Sequence, residues 1–293
     1  MKRSKPYLLF SLAGITLSLG LSSYFAAPLF TSPAPAAPIA TAPAAPSLEV
    51  LAQLPQAVVE SSGLEQASPN SHYWTHNDAG NDAILYKINE KGQLLEEREI
   101  AGATNTDWED LTQDRQGNLY IGDMGNNSNK RQNLHIYKVN PQDNFRVKTI
   151  QFSYEDMPEG KISKRDRNFD CEAFFWHNQH LYLISKDRGA SQTAKLYELT
   201  DQAGNQTARL VMKKELPGLV TSADLSPDGK QLAVLTYGKL YLYPVQSGSN
   251  QFLSQQPKVI DLPNAGQAEA VLFKTNRSLL LSNEEGQLFQ YTW

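Results

Sequence analysis

The sequence is poor in cysteine, in charge of one sign and, beyond its N-terminal part, in long hydrophobic runs. Its 293 residues include one cysteine, Cys171, which excludes an internal disulfide and leaves the redox compartment open. Its 27 basic and 31 acidic residues give a net charge of −4, and the two signs are interspersed. The composition therefore gives no reason to expect nucleic acid as a partner.

Signatures of nucleophilic and zinc chemistry are also lacking. The sequence has no Gly-x-Ser-x-Gly segment, and we do not expect its five histidines to form a zinc site. Cys171 follows Asp170 and precedes Glu172, where a thiolate is disfavoured, so we interpret it as a packed, inert residue.

The one long hydrophobic run lies at the N-terminus. Lys2, Arg3 and Lys5 precede an uncharged stretch over residues 6–30, which is long enough to span a bilayer. Basic residues on its short side predict that this side stays cytoplasmic and that the rest is exported. A cleaved export signal and a buried core helix are the alternatives.

The chain is accordingly divided into three parts. Residues 1–31 are predicted to be a membrane anchor or signal segment, and residues 32–47, rich in Pro and Ala, a semi-rigid linker. Residues 48–293 are predicted to fold on the periplasmic or extracytoplasmic side of the cell envelope, tethered to the inner membrane only through the N-terminal segment.

One acidic motif recurs along the folded part. An acidic or polar residue, a spacer, a second polar residue and an apolar run are followed by a strand that ends in a polar, mostly glycine-bearing turn. The motif occurs, with degenerate first and fourth copies, at residues 60–64, 107–111, 170–174, 221–225 and 267–271. Such self-similarity is typical of a repeat protein.

Counting strands predicts a five-bladed β-propeller. Each repeat also carries a third strand with an apolar–aromatic pair, such as Leu85–Tyr86 and Ile136–Tyr137, and a weaker fourth strand. The last repeat lacks a fourth strand, and the segment 50–55 resembles the fourth strand at 259–263. We therefore expect an N-terminal strand to complete the final blade and close the ring. A six-bladed ring is the alternative.

Three glutamates occupy equivalent positions in the innermost strands. Because side chains alternate along a strand, Glu109, Glu172 and Glu269 are expected to face one another across the central channel. Like charges held together need compensation, and Ca²⁺ accepts carboxylate, amide and water oxygens in loose geometry. The alternative is that these glutamates bind backbone amides of the next blade and lock the ring.

The turns that follow the second strands are the other candidate site. Their polar residues, together with the first motif positions, are expected to gather at one mouth of the channel, either as turn formers or as a ligand site. The candidates are His76 (a possible general base), Asp78, Asp107, Asp123, Asn126, Asp170 and Asp187.

Basic residues precede the third inner strand. The loop at residues 160–168, with Arg167, and the pair Lys130–Arg131 could hold an anionic group near a metal, where the metal would polarise it. A solvated surface loop is the alternative interpretation.

These motifs resemble a known family. Residues 60–64, 74–78, 107–111 and 122–127 look like those of bacterial exported propellers of the SdiA-regulated family, related more distantly to NHL repeats and to phytase-like "esterase" propellers. The resemblance implies a five-bladed propeller with bound calcium and an N-terminal hydrophobic tether. Calcium is carried over only to Glu109, Glu172 and Glu269, because Ser62 and Ala223 lack the acid.

Two functions remain open from the sequence. The first is a calcium-binding module that recognises a small anionic ligand or an envelope protein. The second is a calcium-dependent hydrolase of phosphoesters, esters or lactones, with its site at the channel mouth. A purely structural envelope scaffold is a third interpretation.

Overall fold

The computed structural model describes residues 47–293, and nearly all regular secondary structure in this part of the chain is β-strand. Its only helical segments are two 3-10 turns, Pro141–Asp143 and Lys164–Asp166. In chain order the strands are β1 (Ser47–Gln53), β2 (Ser61–Ala67), β3 (His72–Asn77), β4 (Ile84–Asn89), β5 (Leu94–Glu99), β6 (Trp108–Gln113), β7 (Leu119–Asp123), β8 (Leu134–Val139), β9 (Lys148–Tyr154), β10 (Asp170–His177), β11 (His180–Lys186), β12 (Thr193–Thr200), β13 (Gly204–Glu215), β14 (Val220–Leu225), β15 (Gln231–Thr236), β16 (Lys239–Pro244), β17 (Lys258–Asp261), β18 (Ala268–Thr275), β19 (Ser278–Asn283) and β20 (Gln287–Thr292).

The strands form antiparallel meanders. One sheet has the order β2-β3-β4-β5, a second β14-β15-β16-β17 and a third β18-β19-β20-β1. The meanders β6 to β9 and β10 to β13 join into one eight-stranded sheet through a parallel pairing of β9 with β13. This joining was not predicted from the sequence. It arises because β13 begins at Gly204, earlier than the segment at 213–217 that the repeat pattern indicates, and its first residues pair with β9.

Polar side chains and glycine shape the tight turns between strands. Asn89 Oδ1 accepts hydrogen bonds from the backbone N–H groups of Lys91 and Gln93, at 3.0 Å each. Gly92 in the same turn has φ +70°, a conformation that a side chain disfavours. These contacts explain the regular Asn/Asp-x-x-Gly spacing in the sequence.

The N-terminal strand pairs with the C-terminal one, as predicted. β1 lies antiparallel to β20, with Val50 opposite Phe289. Apolar side chains of the third sheet, including Leu272 and Leu280, also pack with Leu64 and Tyr73 of the first sheet. The two ends of the described chain are therefore joined by hydrogen bonds and by a shared core.

The first strands of the meanders contact one another in a closed cycle. β2 packs against β6 and β18, β10 against β6 and β14, and β14 against β18. Residues of these inner strands are nearly all buried. Any site built from their side chains therefore lies at one end or the other of this cycle.

Within residues 47–293 the structure contains no helix with the length and hydropathy needed to span a bilayer. The predicted anchor and almost all of the predicted linker lie outside the described residues.

Candidate functional site

A β-bulge interrupts every inner strand near its start. The register shifts between Ser61 and Gly63 in β2, and between residues 108 and 111, 171 and 173, 220 and 222, and 268 and 270 in the other inner strands. A bulge leaves a residue outside the ladder and re-aims its side chain. The residues so released include Ser62, Glu109, Glu172, Thr221 and Glu269.

The bulges correct one detail of the predicted repeat alignment. In the fourth repeat, strict alternation makes Ala223 the equivalent of the three glutamates. The structure gives that position to Thr221, whose Oγ1 donates to the carbonyl of Ala268 at 2.9 Å. An extra residue in the strand shifts the side-chain period, and alternation alone does not predict it.

Five carboxylates meet where the first three inner strands begin. We call Asp78, Asp107, Glu109, Asp170 and Glu172 the carboxylate cluster. Oxygen atoms of Asp78, Asp107 and Glu109 lie within 4.8 Å of one another, and so do those of Glu109, Asp170 and Glu172. Glu109, common to both groups, is only 4% exposed. The predicted convergence of the acidic motif is therefore present for the second and third repeats.

Part of this charge is neutralised by two basic side chains. Lys186, which is 2% exposed, forms an ion pair with Glu172 Oε2. Arg188 bonds Glu172 Oε1 and, through Nε, Asp170 Oδ2 at 2.5 Å. Burial and the neighbouring Asp170 raise the pKa of Glu172, and Lys186 and Arg188 oppose that rise.

The carboxylates of Asp107 and Glu109 accept no hydrogen bond within residues 47–293. Burial raises the pKa of Glu109 well above its usual value, and the nearby acids Glu172 and Asp78 add to the rise. Burial, followed by the charge of Asp78, raises the pKa of Asp107 to about 6. A buried carboxylate without a partner is costly, so this pair is where a cation would stabilise the cluster most.

Gly125 provides the space in which this pair converges. A Cβ at this position would lie 2.2 Å from Glu109 Oε1 and 2.5 Å from Asp107 Oδ2. The residues present fit a hard cation with oxygen ligands, because the pair offers free carboxylate oxygens beside a recess.

Glu269 lies outside both groups of close carboxylates. Its Oε1 accepts a hydrogen bond from the hydroxyl of Tyr237, which also accepts from Lys186 Nζ at 3.3 Å. Burial raises the pKa of Glu269 to about 7. Of the three predicted glutamates, the structure brings Glu109 and Glu172 into one cluster and links Glu269 to them through Lys186 and Tyr237.

Three of the predicted turn residues hold nearby backbone segments in place through hydrogen bonds. Asp187 accepts four backbone N–H groups of its own loop, from residues 189, 190, 192 and 193. Asn126 Oδ1 accepts from the backbone of Lys130 and Arg131, and its own N–H donates to Asp170 Oδ1 at 2.5 Å. Asp123 accepts from the backbone of Asp107 at 3.0 Å. These residues position the carboxylate cluster.

The two predicted arginines differ in their contacts. Arg131 pairs with Asp123 at 2.9 Å and donates to the carbonyl of Gly125 at 2.6 Å, so it lies beside the recess. Arg167 is half-buried, and its Nε has no partner among the described residues.

His76 does not open onto the mouth where the sequence had suggested it. Its ring is fully buried and packs edge-on against Trp108, with ring centroids 5.4 Å apart. A Cβ at Gly63 would lie 2.8 Å from its Nε2, so the missing side chain makes room for the ring. Burial lowers the pKa of His76 to about 4, which is the behaviour of a neutral core histidine.

No family model and no curated protein matches the chain. Among solved structures, the PQQ-bound form of aldose sugar dehydrogenase from Streptomyces coelicolor is similar, with a TM-score of 0.51 and 10% identity, covering 85% of this chain and 99% of that one. The chain has a β-propeller fold. At this identity the likeness concerns the propeller fold alone, and the resemblance to the SdiA-regulated family remains a prediction from the sequence.

The raised pKa values predict how the stability of the propeller depends on pH. Between the usual carboxyl pKa near 4 and the folded values of about 6 for Asp107 and about 7 for Asp224 and Glu269, the folded state binds more protons than the unfolded state. The stabilisation that these three groups contribute is therefore complete at the acidic end of this window, and it is lost as the pH rises. Buried His76 opposes this trend only below about pH 6.5.

In metal-free buffer, Tm is expected to fall by about 5 °C between pH 5.5 and pH 8. Circular dichroism melting curves measure the change. Asp107→Asn should flatten the profile, and a Tm that rises steadily over this range would contradict the interpretation.

Proposed function

We propose that the protein is a membrane-tethered, extracytoplasmic five-bladed β-propeller that binds calcium and acts as a ligand- or partner-binding module. The closed cycle of contacts among β2, β6, β10, β14 and β18 supports five blades. The pairing of β1 with β20 supports closure by the N-terminal strand. The tether and its location follow from the sequence of residues 1–31 and from the resemblance to SdiA-regulated propellers.

One observation carries the calcium proposal: the Glu109 carboxylate is buried, has no hydrogen-bond partner among the described residues and lies among four other acids. Calcium takes six to eight oxygen ligands in flexible geometry, and water completes sets that side chains leave open. We propose Asp78, Asp107 and Glu109 as ligands, because Asp170 is already held by Asn126 and Arg188. The two sets of close oxygen atoms in the carboxylate cluster come from carboxylates alone, and this composition disfavours zinc.

Glu172 and Glu269 take supporting roles in this proposal. Glu172 is held by Lys186 and Arg188, and Glu269 by Tyr237. Both contribute negative potential toward the ion.

Calcium analysis of the purified full chain, followed by melting curves, tests the proposal. Calcium at about one hundred times its Kd is expected to raise Tm by roughly 5–10 °C, and chelator should reverse the change. Glu109→Gln should abolish the calcium effect while leaving the metal-free protein at least as stable, because it removes one charge from the cluster.

Glu97→Gln is the matched control, because Glu97 is exposed on β5 outside the cluster. Its response to calcium should equal that of the unmodified protein. Absence of calcium from the purified chain together with an unchanged Tm would refute the proposal, and so would a Glu109→Gln variant that still responds.

A calcium-dependent hydrolase is the second candidate. Arg131 and Arg188, whose side chains are 22% and 26% exposed, lie at the carboxylate cluster and could hold an anionic group near the ion. A bound cation would then polarise that group. Calcium-dependent turnover of chromogenic esters or phosphates that is lost in Glu109→Gln would favour the hydrolase, whereas a purely thermal effect of calcium would favour the binding module.

A further inference from the structure

An open cavity of about 550 Å³ lies at the opposite end of the inner strands from the carboxylate cluster. Every inner strand contributes the residues of its second half. They include Glu65 of β2, Thr112 of β6, Trp176 of β10, Asp224 of β14 and Phe273 of β18. Because β6 and β10 carry the carboxylate cluster near their starts, the cavity and the cluster occupy different ends of the same strands.

A hydrogen-bonded side chain separates these two regions along β6. Asp110 lies between Glu109 and Thr112, and its Oδ2 accepts from Ser222 Oγ at 3.0 Å and from the backbone of Ala223 at 3.2 Å, both on β14. The same oxygen accepts from the backbone of Phe174 on β10 at 3.4 Å. The cavity is therefore a site of its own.

The floor of the cavity carries two carboxyl groups. Glu65 is only 7% exposed, and its Oε1 accepts a hydrogen bond from the backbone N–H of Gln66 at 2.6 Å. Its Oε2 has no hydrogen-bond partner among residues 47–293. Asp224 is held by backbone N–H groups of Leu225 at 2.7 Å and Phe273 at 2.6 Å. The floor thus presents one unpartnered carboxylate oxygen of a largely buried glutamate beside a second, fixed carboxylate.

The rim of the cavity is basic, and most of its charges are paired. Lys274 forms an ion pair with Glu90 at 2.7 Å, and Lys230 with Asp228 at 3.7 Å. Exposed Arg115 lines the cavity and forms no ion pair within the described part of the chain.

We propose that this cavity binds a small molecule through a primary ammonium group, which donates hydrogen bonds to Glu65 and Asp224. An ammonium group has three N–H donors and a single charge, which match one free carboxylate oxygen and a neighbouring carboxylate. A calcium ion needs six to eight oxygens, more than this floor offers. An anion would meet two acids at the floor.

Two sources of the ammonium group are possible, and Arg115 distinguishes them. A simple amine uses the floor alone. An amino acid also carries a carboxylate, which the unpaired guanidinium of Arg115 at the rim would bind.

Binding should also displace a proton. Burial raises the pKa of Asp224 to about 7 and, with the charge of Asp224, raises the pKa of Glu65 well above its usual value. An ammonium group favours both charged carboxylates, so it releases protons at neutral pH. The other ionisable groups that face this pair or line the cavity are Asp110, Arg115, His177, Asp228, Lys230 and Lys274.

Calorimetry with propylammonium chloride on the calcium-saturated full chain at pH 8 tests the proposal. Tetramethylammonium is the control ligand, because it has the same charge and no N–H donor. Saturable binding of propylammonium is expected, at least tenfold weaker in Glu65→Gln and in Asp224→Asn. Glu97→Gln, exposed on β5 and outside both the cavity and the carboxylate cluster, should bind it as the unmodified protein does.

Several results would overturn the proposal. These are no binding of propylammonium, equal binding of tetramethylammonium, or undiminished binding by a folded Glu65→Gln or Asp224→Asn variant. If neither variant folds, calorimetry of the unmodified protein near pH 7 in buffers of different ionisation enthalpy decides, because binding without proton release contradicts the use of this pair. Tighter binding of glycine than of propylammonium, lost in Arg115→Ala, would identify the amino-acid source, and the converse would identify a simple amine.

Discussion

Replacing Lys186 with Met is expected to lower the free energy of unfolding by about 3–5 kcal/mol, since it breaks a buried ion pair. Lys186 bonds Glu172 and lies over the ring of Tyr237, with its Nζ 4.9 Å from the ring centroid. Without it, Glu172 keeps Arg188 but loses the cation that stands between it and Glu269. The uncompensated negative charge then remains in a buried site, where its cost is highest.

Chemical denaturation of Lys186→Met measures this loss. Lys239→Met is the matched control, because Lys239 pairs with Asp261 on an exposed edge, with side chains 46% and 76% exposed. Solvent screens such a pair, so this variant should change stability little. The double variant Lys186→Met/Glu172→Gln should be more stable than Lys186→Met alone, since it removes the orphaned charge. Equal losses in Lys186→Met and Lys239→Met would show that the buried ion pair contributes no more to the free energy of unfolding than the exposed one does.

The architecture was largely predictable because each repeat is one meander with the same apolar pattern. The apolar–aromatic pairs Leu85–Tyr86 and Ile136–Tyr137 lie in third strands, β4 and β8, as predicted. The likeness of residues 50–55 to residues 259–263 predicted that an N-terminal strand would join the last one, and β1 does pair with β20. Patterns of this kind reflect which face of each strand is buried, so they can be recognised in the sequence without knowledge of tertiary contacts.

The parallel joining of β9 and β13 was not predictable in the same way. It depends on residues 204–208, of which only Ala208 is apolar and buried, so they show no apolar–polar alternation typical of a strand. Their pairing follows from the length of the preceding hairpin, and hydrophobic patterning does not record that length.

The candidate site was predictable in its acids and not in their partners. The recurring motif pointed to Glu109 and Glu172, which lie in one cluster. The roles of Lys186 and Arg188 were not predicted, because a basic residue at the end of a strand is usually solvated. Their one signal in the sequence is that they flank Asp187 directly after the third repeat's second strand, at the edge where the acids converge.

Replacing Asp110 with Ala is the second large expected effect, a loss of about 3 kcal/mol in the free energy of unfolding. Asp110 Oδ1 accepts the backbone N–H of Leu111 at 2.9 Å, and Oδ2 accepts from β10 and β14 across the ring of inner strands. Alanine would leave three buried backbone N–H groups without an acceptor, at about 1–3 kcal/mol each. Burial raises the pKa of Asp110 well above its usual value, so removing its charge offsets part of that cost.

The stability of Asp110→Asn should lie between that of the unmodified protein and that of Asp110→Ala. Its amide oxygen can replace Oδ2, but its NH₂ group then faces the N–H of Leu111. Asp82→Ala, at an exposed position of the loop between β3 and β4, should change stability by less than about 0.5 kcal/mol. Denaturation midpoints of the three variants measure this order. Because Asp110 connects strands of three different repeats, Asp110→Ala should also lower the cooperativity of unfolding, which the denaturant slope reports. An Asp110→Ala variant as stable as Asp82→Ala would mean that the inner strands hold their positions through apolar packing between the sheets alone.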